Sequence, residues 1–170
     1  MIRPILTTAA VAAAMIATPA IALASDFIAT FSGFNETPAI LSEGRAHLSL
    51  RLDRAGQTLA YTLTFSNLTA VTQSHIHFGK PHTAGAVIVF FCSNLASKPA
   101  GVQACPDSSG TVAGVITAAN VLPIAAQHIT AGDFDALEDA LDSHTAYGNI
   151  HTVAFPGGEI RGEIHSGDGE

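Results

Sequence analysis

From residue 45 the side chains alternate with period two. Ala46, Leu48, Leu50 and Leu52 point one way, and Arg45, His47, Ser49 and Arg51 the other. That spacing predicts a strand with one buried face over residues 45–52. Asp53-Arg54-Ala55-Gly56-Gln57 reads as a turn, after which Leu59, Tyr61, Leu63 and Phe65 resume the alternation, so the stretch predicts an antiparallel hairpin. Further strands are predicted over 26–31, 72–78, 86–92, 110–116, 146–153 and 159–165, with 86–92 apolar enough to be covered on both faces. Pro156-Gly157-Gly158 predicts a tight turn between the last two strands. One helix is predicted over 133–143, with Thr130 as its N-cap, Asp133 and Asp135 in its first turns, and Phe134, Leu137 and Leu141 on one face. Short strands joined by Gly/Pro turns, with one added helix, predict an all-β antiparallel sandwich.

The chain begins differently. Residues 1–24 carry Arg3, then a charge-free run, then Ala22-Leu23-Ala24, the layout of an export signal that is cleaved to leave 25–170. Pro19 and the Ala/Thr content argue against a membrane anchor, so no membrane span is expected after cleavage and the protein is expected to be periplasmic or secreted. Both methionines, Met1 and Met15, lie in that leader. In an exported protein the two cysteines, Cys92 and Cys105, pair most simply as a disulfide. Soft sulfur ligands are therefore not expected at any metal site.

Seven Lys+Arg against 14 Asp+Glu, a formal charge of −7, exclude a nucleic-acid partner held through phosphates. Eight histidines outnumber all the Lys and Arg. In Ser74-His75-Ile76-His77 two imidazoles project from one strand face, their Cα atoms roughly 7 Å apart, and can converge on one ion while Ile76 enters the core. In Asn149-Ile150-His151-Thr152, His151 shares a face with Tyr147 and Asn149, and a third imidazole from a distant strand makes a usable nitrogen site. His82 follows the pair on a loop as a candidate fourth ligand, while His47, His128, His144 and His165 read as surface residues. Glu159, Arg161 and Glu163 alternate onto one face. An Arg between two carboxylates there either ties the last strand to its neighbour, the favoured role, or acts as an anion clamp or orients a metal-ligating His. The metalloprotease H-E-x-x-H, the G-x-S-x-G elbow, the P-loop and the dinucleotide fingerprint are all missing.

Four ordered motifs together resemble the CHRD domain. They are Phe31-Ser32-Gly33-Phe34-Asn35-Glu36-Thr37-Pro38, Ser74-His75-Ile76-His77, Asn149-Ile150-His151-Thr152 and Pro156-Gly157-Gly158-Glu159-Ile160-Arg161-Gly162. The resemblance covers about residues 26–165. It implies an immunoglobulin-like β-sandwich with limited similarity to copper-zinc superoxide dismutase, in which an H-x-H strand pair supplies two copper ligands. His75 and His77 match that pair, His151 resembles a late-strand copper ligand, and His82 is similar in kind to the bridging loop His but much closer in sequence. The dismutase zinc loop has no counterpart here.

The leading expectation is a non-enzymatic exported β-sandwich holding copper(II) or zinc through His75, His77 and His151. The imidazole set favours these ions over Cu(I) and excludes a blue-copper centre. An extracellular adhesion module whose partner is a protein, and a copper redox enzyme of dismutase type, are the alternatives.

Overall fold

The computed structural model describes residues 25–167; the expected leader, residues 1–24, lies outside the described residues. Nine strands and one helix follow in order: β1 (Ser25–Phe31), β2 (Arg45–Asp53), β3 (Thr58–Ser66), β4 (Val71–Phe78), β5 (Ala86–Ser93), β6 (Gly110–Thr117), α1 (Phe134–Asp142), β7 (Ala146–Thr152), β8 (Ile160–Glu163) and β9 (His165–Ser166). They form two antiparallel sheets, ordered β6-β3-β2-β1-β9 and β5-β4-β7-β8. The fold is an all-β sandwich with a single short helix. Among the described residues no helix is long and apolar enough to cross a membrane.

The five-stranded sheet follows the simple rule of one wet and one dry face. Buried and exposed positions alternate without exception along β2, and Leu48 pairs with Leu63 as Leu52 does with Leu59 on the inner side of the hairpin. Phe27, Ala29 and Phe31 of β1 extend that inner face. The four-stranded sheet is different. Every residue of β7 is buried, so both of its faces are covered. Ile76 and Ile150 belong to the core between the sheets. Gly148 and Gly162 lie side by side in the β7–β8 ladder, and any Cβ there would run into the Phe31 ring, so the missing side chains let that ring lie on the sheet.

Helix α1 begins one residue later than expected, and Asp133 rather than Thr130 caps it, its carboxylate accepting from the Ala136 N–H at 3.1 Å. The Thr130 carbonyl instead accepts from the Asp133 N–H in the preceding turn. Phe134, Leu137, Ala140 and Leu141 bury the inner face. The outer face is tied to the β2–β3 turn by Arg54, which pairs with Glu138 at 3.1 Å and Asp142 at 2.8 Å. The final strand expected over 159–165 divides in two. Residues up to Glu163 pair with β7, the Ile164 N–H reaches the Ala146 carbonyl, and His165–Ser166 cross to pair with β1. The Cys92–Cys105 disulfide, Cα atoms 5.0 Å apart, pins the segment before β6 to the end of β5.

Three connections cover the outer face of the four-stranded sheet at its β4–β7–β8 side. A bridge from Ser32 to Arg161 carries the chain beyond β1 across β8. There a 3-10 turn, Gly33–Asn35, leads into Glu36, which is buried. The loops after β4 and after β7 complete the cover, the first bonded to His77 and Arg161 and the second to His151.

Candidate metal site

Strand β4 presents His75 and His77 on the outer, covered side, and Ile76 between them is fully buried in the core, as strict alternation requires. Strand β7 runs antiparallel beside it with Asn149 opposite His75, Tyr147 opposite His77 and His151 opposite Gln73. The three imidazoles meet there. Ring centroids are 4.6 Å apart for His75–His77 and for His75–His151, and 6.3 Å for His77–His151. One nitrogen from each ring lies within 4.8 Å of the other two. An ion bonding imidazole at about 2.0–2.1 Å in a tetrahedral arrangement holds its nitrogens about 3.3–3.4 Å apart, so small ring rotations close the set.

Hydrogen bonding fixes which nitrogens face inward. His77 Nδ1 donates to the Gly85 carbonyl at 2.8 Å, and His151 Nδ1 donates to the Pro156 carbonyl at 2.9 Å. A carbonyl only accepts, so the proton sits on Nδ1 of both rings and Nε2 keeps its lone pair. Those two Nε2 atoms, together with His75 Nδ1, are buried and have no hydrogen-bond partner. Unpaired buried polar atoms are uncommon in folded proteins because each forfeits its hydration. Nε2 of His77 and of His151 are lone-pair donors, and His75 Nδ1 is the third when its proton sits on Nε2; such a set fits a cation.

Electrostatics keep the rings neutral. Burial is the main cause holding His75 well below its usual value, with His77 and His151 adding to it. Burial likewise pushes His77 down to about 4, against the opposing pull of the Gly85 carbonyl. His151 is lowered by burial, partly offset by the Pro156 carbonyl and reinforced by the Arg161 charge. Neutral imidazole is the metal-binding form, so no proton must be expelled near neutral pH.

Around the three rings lies a second layer. β5 carries an extra residue at two points of its pairing with β4, and the Phe90 and His75 rings meet near-perpendicularly with centroids 5.0 Å apart. Tyr147 stacks on His77, and the Arg161 guanidinium lies 4.0 Å from the centre of the Tyr147 ring. Arg161 pairs with Glu36 at 3.2 Å and donates to the Thr83 carbonyl at 2.8 Å. Glu36 also accepts from Asn149 Nδ2. Burial raises the Glu36 carboxyl more than Arg161 lowers it.

The network expected among Glu159, Arg161 and Glu163 takes another form. Glu159 accepts from Ser42 Oγ at 2.7 Å and from Thr152 Oγ1 at 2.6 Å, Glu163 is exposed, and the carboxylate facing Arg161 is Glu36. His82 stands on an exposed turn with φ of 59° and is not in the imidazole group. His47, His128, His144 and His165 are exposed. The reading of residues in isolation passed over Glu36 and Tyr147, although Glu36 sits inside the first of the four motifs.

The model for the family described as CHRD domain matches residues 27–164, most of the chain. No curated protein and no solved structure matches it.

Proposed function

The chain belongs to the CHRD domain family, and from that premise we propose that it is an exported, non-enzymatic β-sandwich that holds one copper(II) or zinc ion through His75, His77 and His151. The observation carrying this reading is the convergence of three neutral imidazoles whose inward nitrogens are buried without partners. No sulfur donor competes, since both cysteines of the described chain are in the disulfide. Imidazole nitrogen suits zinc and copper(II), and the Irving–Williams order places copper(II) first where both are available. Export is supported by the disulfide and by the expected leader over residues 1–24.

The experiment is elemental analysis of the mature protein after expression with supplementary copper or zinc. One equivalent of metal is expected, and its loss in the His75→Ala/His77→Ala double variant. Metal content near zero in the wild type, or unchanged content in the variant, defeats the reading.

A second reading is an extracellular interaction module. Phe34 and Leu41, 63 % and 85 % exposed, flank the segment over the site and supply apolar contact surface. It predicts a protein partner retained equally by metal-free protein.

A further inference from the structure

We propose that Asn149 completes the same centre as its fourth ligand, through the side-chain oxygen Oδ1. The assignment rests on the metal reading above and adds the coordination number.

The position of Asn149 is central. It lies directly across from His75 in the β4–β7 ladder and two residues before His151 on the same face of β7. Its side chain therefore leaves the same sheet face as the three imidazoles. Its orientation is set from the other end. Asn149 Nδ2 donates to Glu36 Oε1 and also reaches the Ile160 carbonyl at 3.4 Å. Flipping the amide would turn its oxygen toward two acceptors, so the oxygen must take the other direction.

That oxygen is buried and has no hydrogen-bond partner, on a residue only 1 % exposed. It lies beside the His77 ring. The His77 proton is already given to Gly85, and Nε2 is itself an unpartnered acceptor. Lone pairs of Asn149, His77 and His151, joined by that of His75 Nδ1 when its proton sits on Nε2, thus lie unpaired on one buried face, which a cation satisfies at once. The bond from Asn149 to the Glu36 carboxylate increases electron density on the amide oxygen and holds its direction.

The chemical consequence is a closed set of three nitrogens and one oxygen, all neutral. Four protein ligands without an open position mark a structural zinc-type centre, whereas catalytic centres keep a position for water or substrate. An N/O set also suits copper(II) and zinc better than copper(I).

Azide is the probe, since it binds copper(II) only where a position is open or readily vacated. The copper(II)-loaded wild type is expected to show no new absorption band and no change in its electron paramagnetic resonance spectrum on azide addition. Asn149→Ala and Asn149→Ser are expected to gain both, and to bind zinc about 10- to 100-fold more weakly in chelator competition. Azide uptake by the wild type equal to that of the variants overturns the assignment. A second measurement needs no variant: a strongly coupled, deuterium-exchangeable proton at the wild-type copper marks water in the fourth position and overturns it too. If the wild type takes up neither copper nor zinc, the metal reading itself falls; if it binds metal and also azide, only the Asn149 assignment falls.

Discussion

The Tyr147 ring lies flat on the imidazole of His77, centroids 4.7 Å apart and planes 6° from parallel. Its hydroxyl accepts from the Gly85 N–H at 3.0 Å, while the Gly85 carbonyl accepts from His77. One loop residue is therefore bonded to both members of the stack. Removing only the hydroxyl, in Tyr147→Phe, leaves the Gly85 N–H short of a partner and is expected to cost about 1 kcal/mol. Hydrogen exchange at Gly85 should quicken while the His77 ring stays in place, which NMR of the metal-free protein reads directly. Unchanged exchange counts against the hydroxyl as the loop's anchor.

Acid should destabilise the metal-free protein before its carboxylates titrate. The three site imidazoles are held below their ordinary value of 6.5 in the fold, His77 at about 4. Between those values the unfolded chain binds more protons than the folded one, so stability is full above the window and falls as pH falls through it. The slope is about 1.4 kcal/mol per pH unit for each group while it titrates in the unfolded chain alone. Glu36, whose carboxyl is raised, acts in the opposite sense, because its protonation favours the fold. Urea denaturation across pH 7.5 to 4.5 should show the loss; a flat profile would contradict neutral, buried imidazoles.

Metal should then raise stability most where protons do not compete. An ion present at 100 times its dissociation constant adds about 2.7 kcal/mol if only the folded state binds it. Thermal melts with zinc at pH 7.5 should show the shift, and the same melts on the His75→Ala/His77→Ala variant should not.

Arg161 and Glu36 form an ion pair with side chains 6 % and 2 % exposed. Breaking one side of such a pair leaves the other charge buried, so Arg161→Met should cost about 3–5 kcal/mol. Adding Glu36→Gln, which retains an acceptor for Asn149, should restore part of that loss. Additive costs in chemical denaturation would show that the two groups do not depend on each other.

The Cys92–Cys105 bond closes a loop with a sequence separation of 13. Reduction, or the Cys92→Ala/Cys105→Ala variant, should lower stability by about 2–4 kcal/mol. Although Cys92 pairs with Ser74, the neighbour of His75, it packs with the core rather than with the imidazoles, so metal content at saturating zinc should not change.

Local periodicity made much of this molecule readable. The β2–β3 hairpin and the common face of His75 and His77 follow from period two alone, and His151 followed from the same rule applied to β7. The helix was legible, but its cap was not: Thr130 and Asp133 are both good capping residues, and tertiary placement decides between them. Glu36 illustrates the limit. Its burial depends on a chain crossing between β1 and β8, and nothing within a few residues of Glu36 encodes the Arg161 and Asn149 it meets. The loop carrying His82 illustrates another. Proximity in sequence to His77 suggested a ligand, yet the tight return to Gly85 leaves that imidazole facing solvent.

The bond from Asn35 to the Arg161 carbonyl joins residues 126 positions apart, and Asn149 reaches Glu36 across 113. Such closure means that the three imidazoles meet only once β7 has paired with β4. A chain emerging N-terminus first exposes His75 and His77 long before His151, and two imidazoles on an unfinished sheet bind metal weakly and without selectivity. Loop-closure entropy also slows this topology toward the millisecond-to-second range of all-β domains. Under the proposed function, three-imidazole binding therefore belongs to the chain after β7 has docked on β4, and not to the chain while it is still emerging.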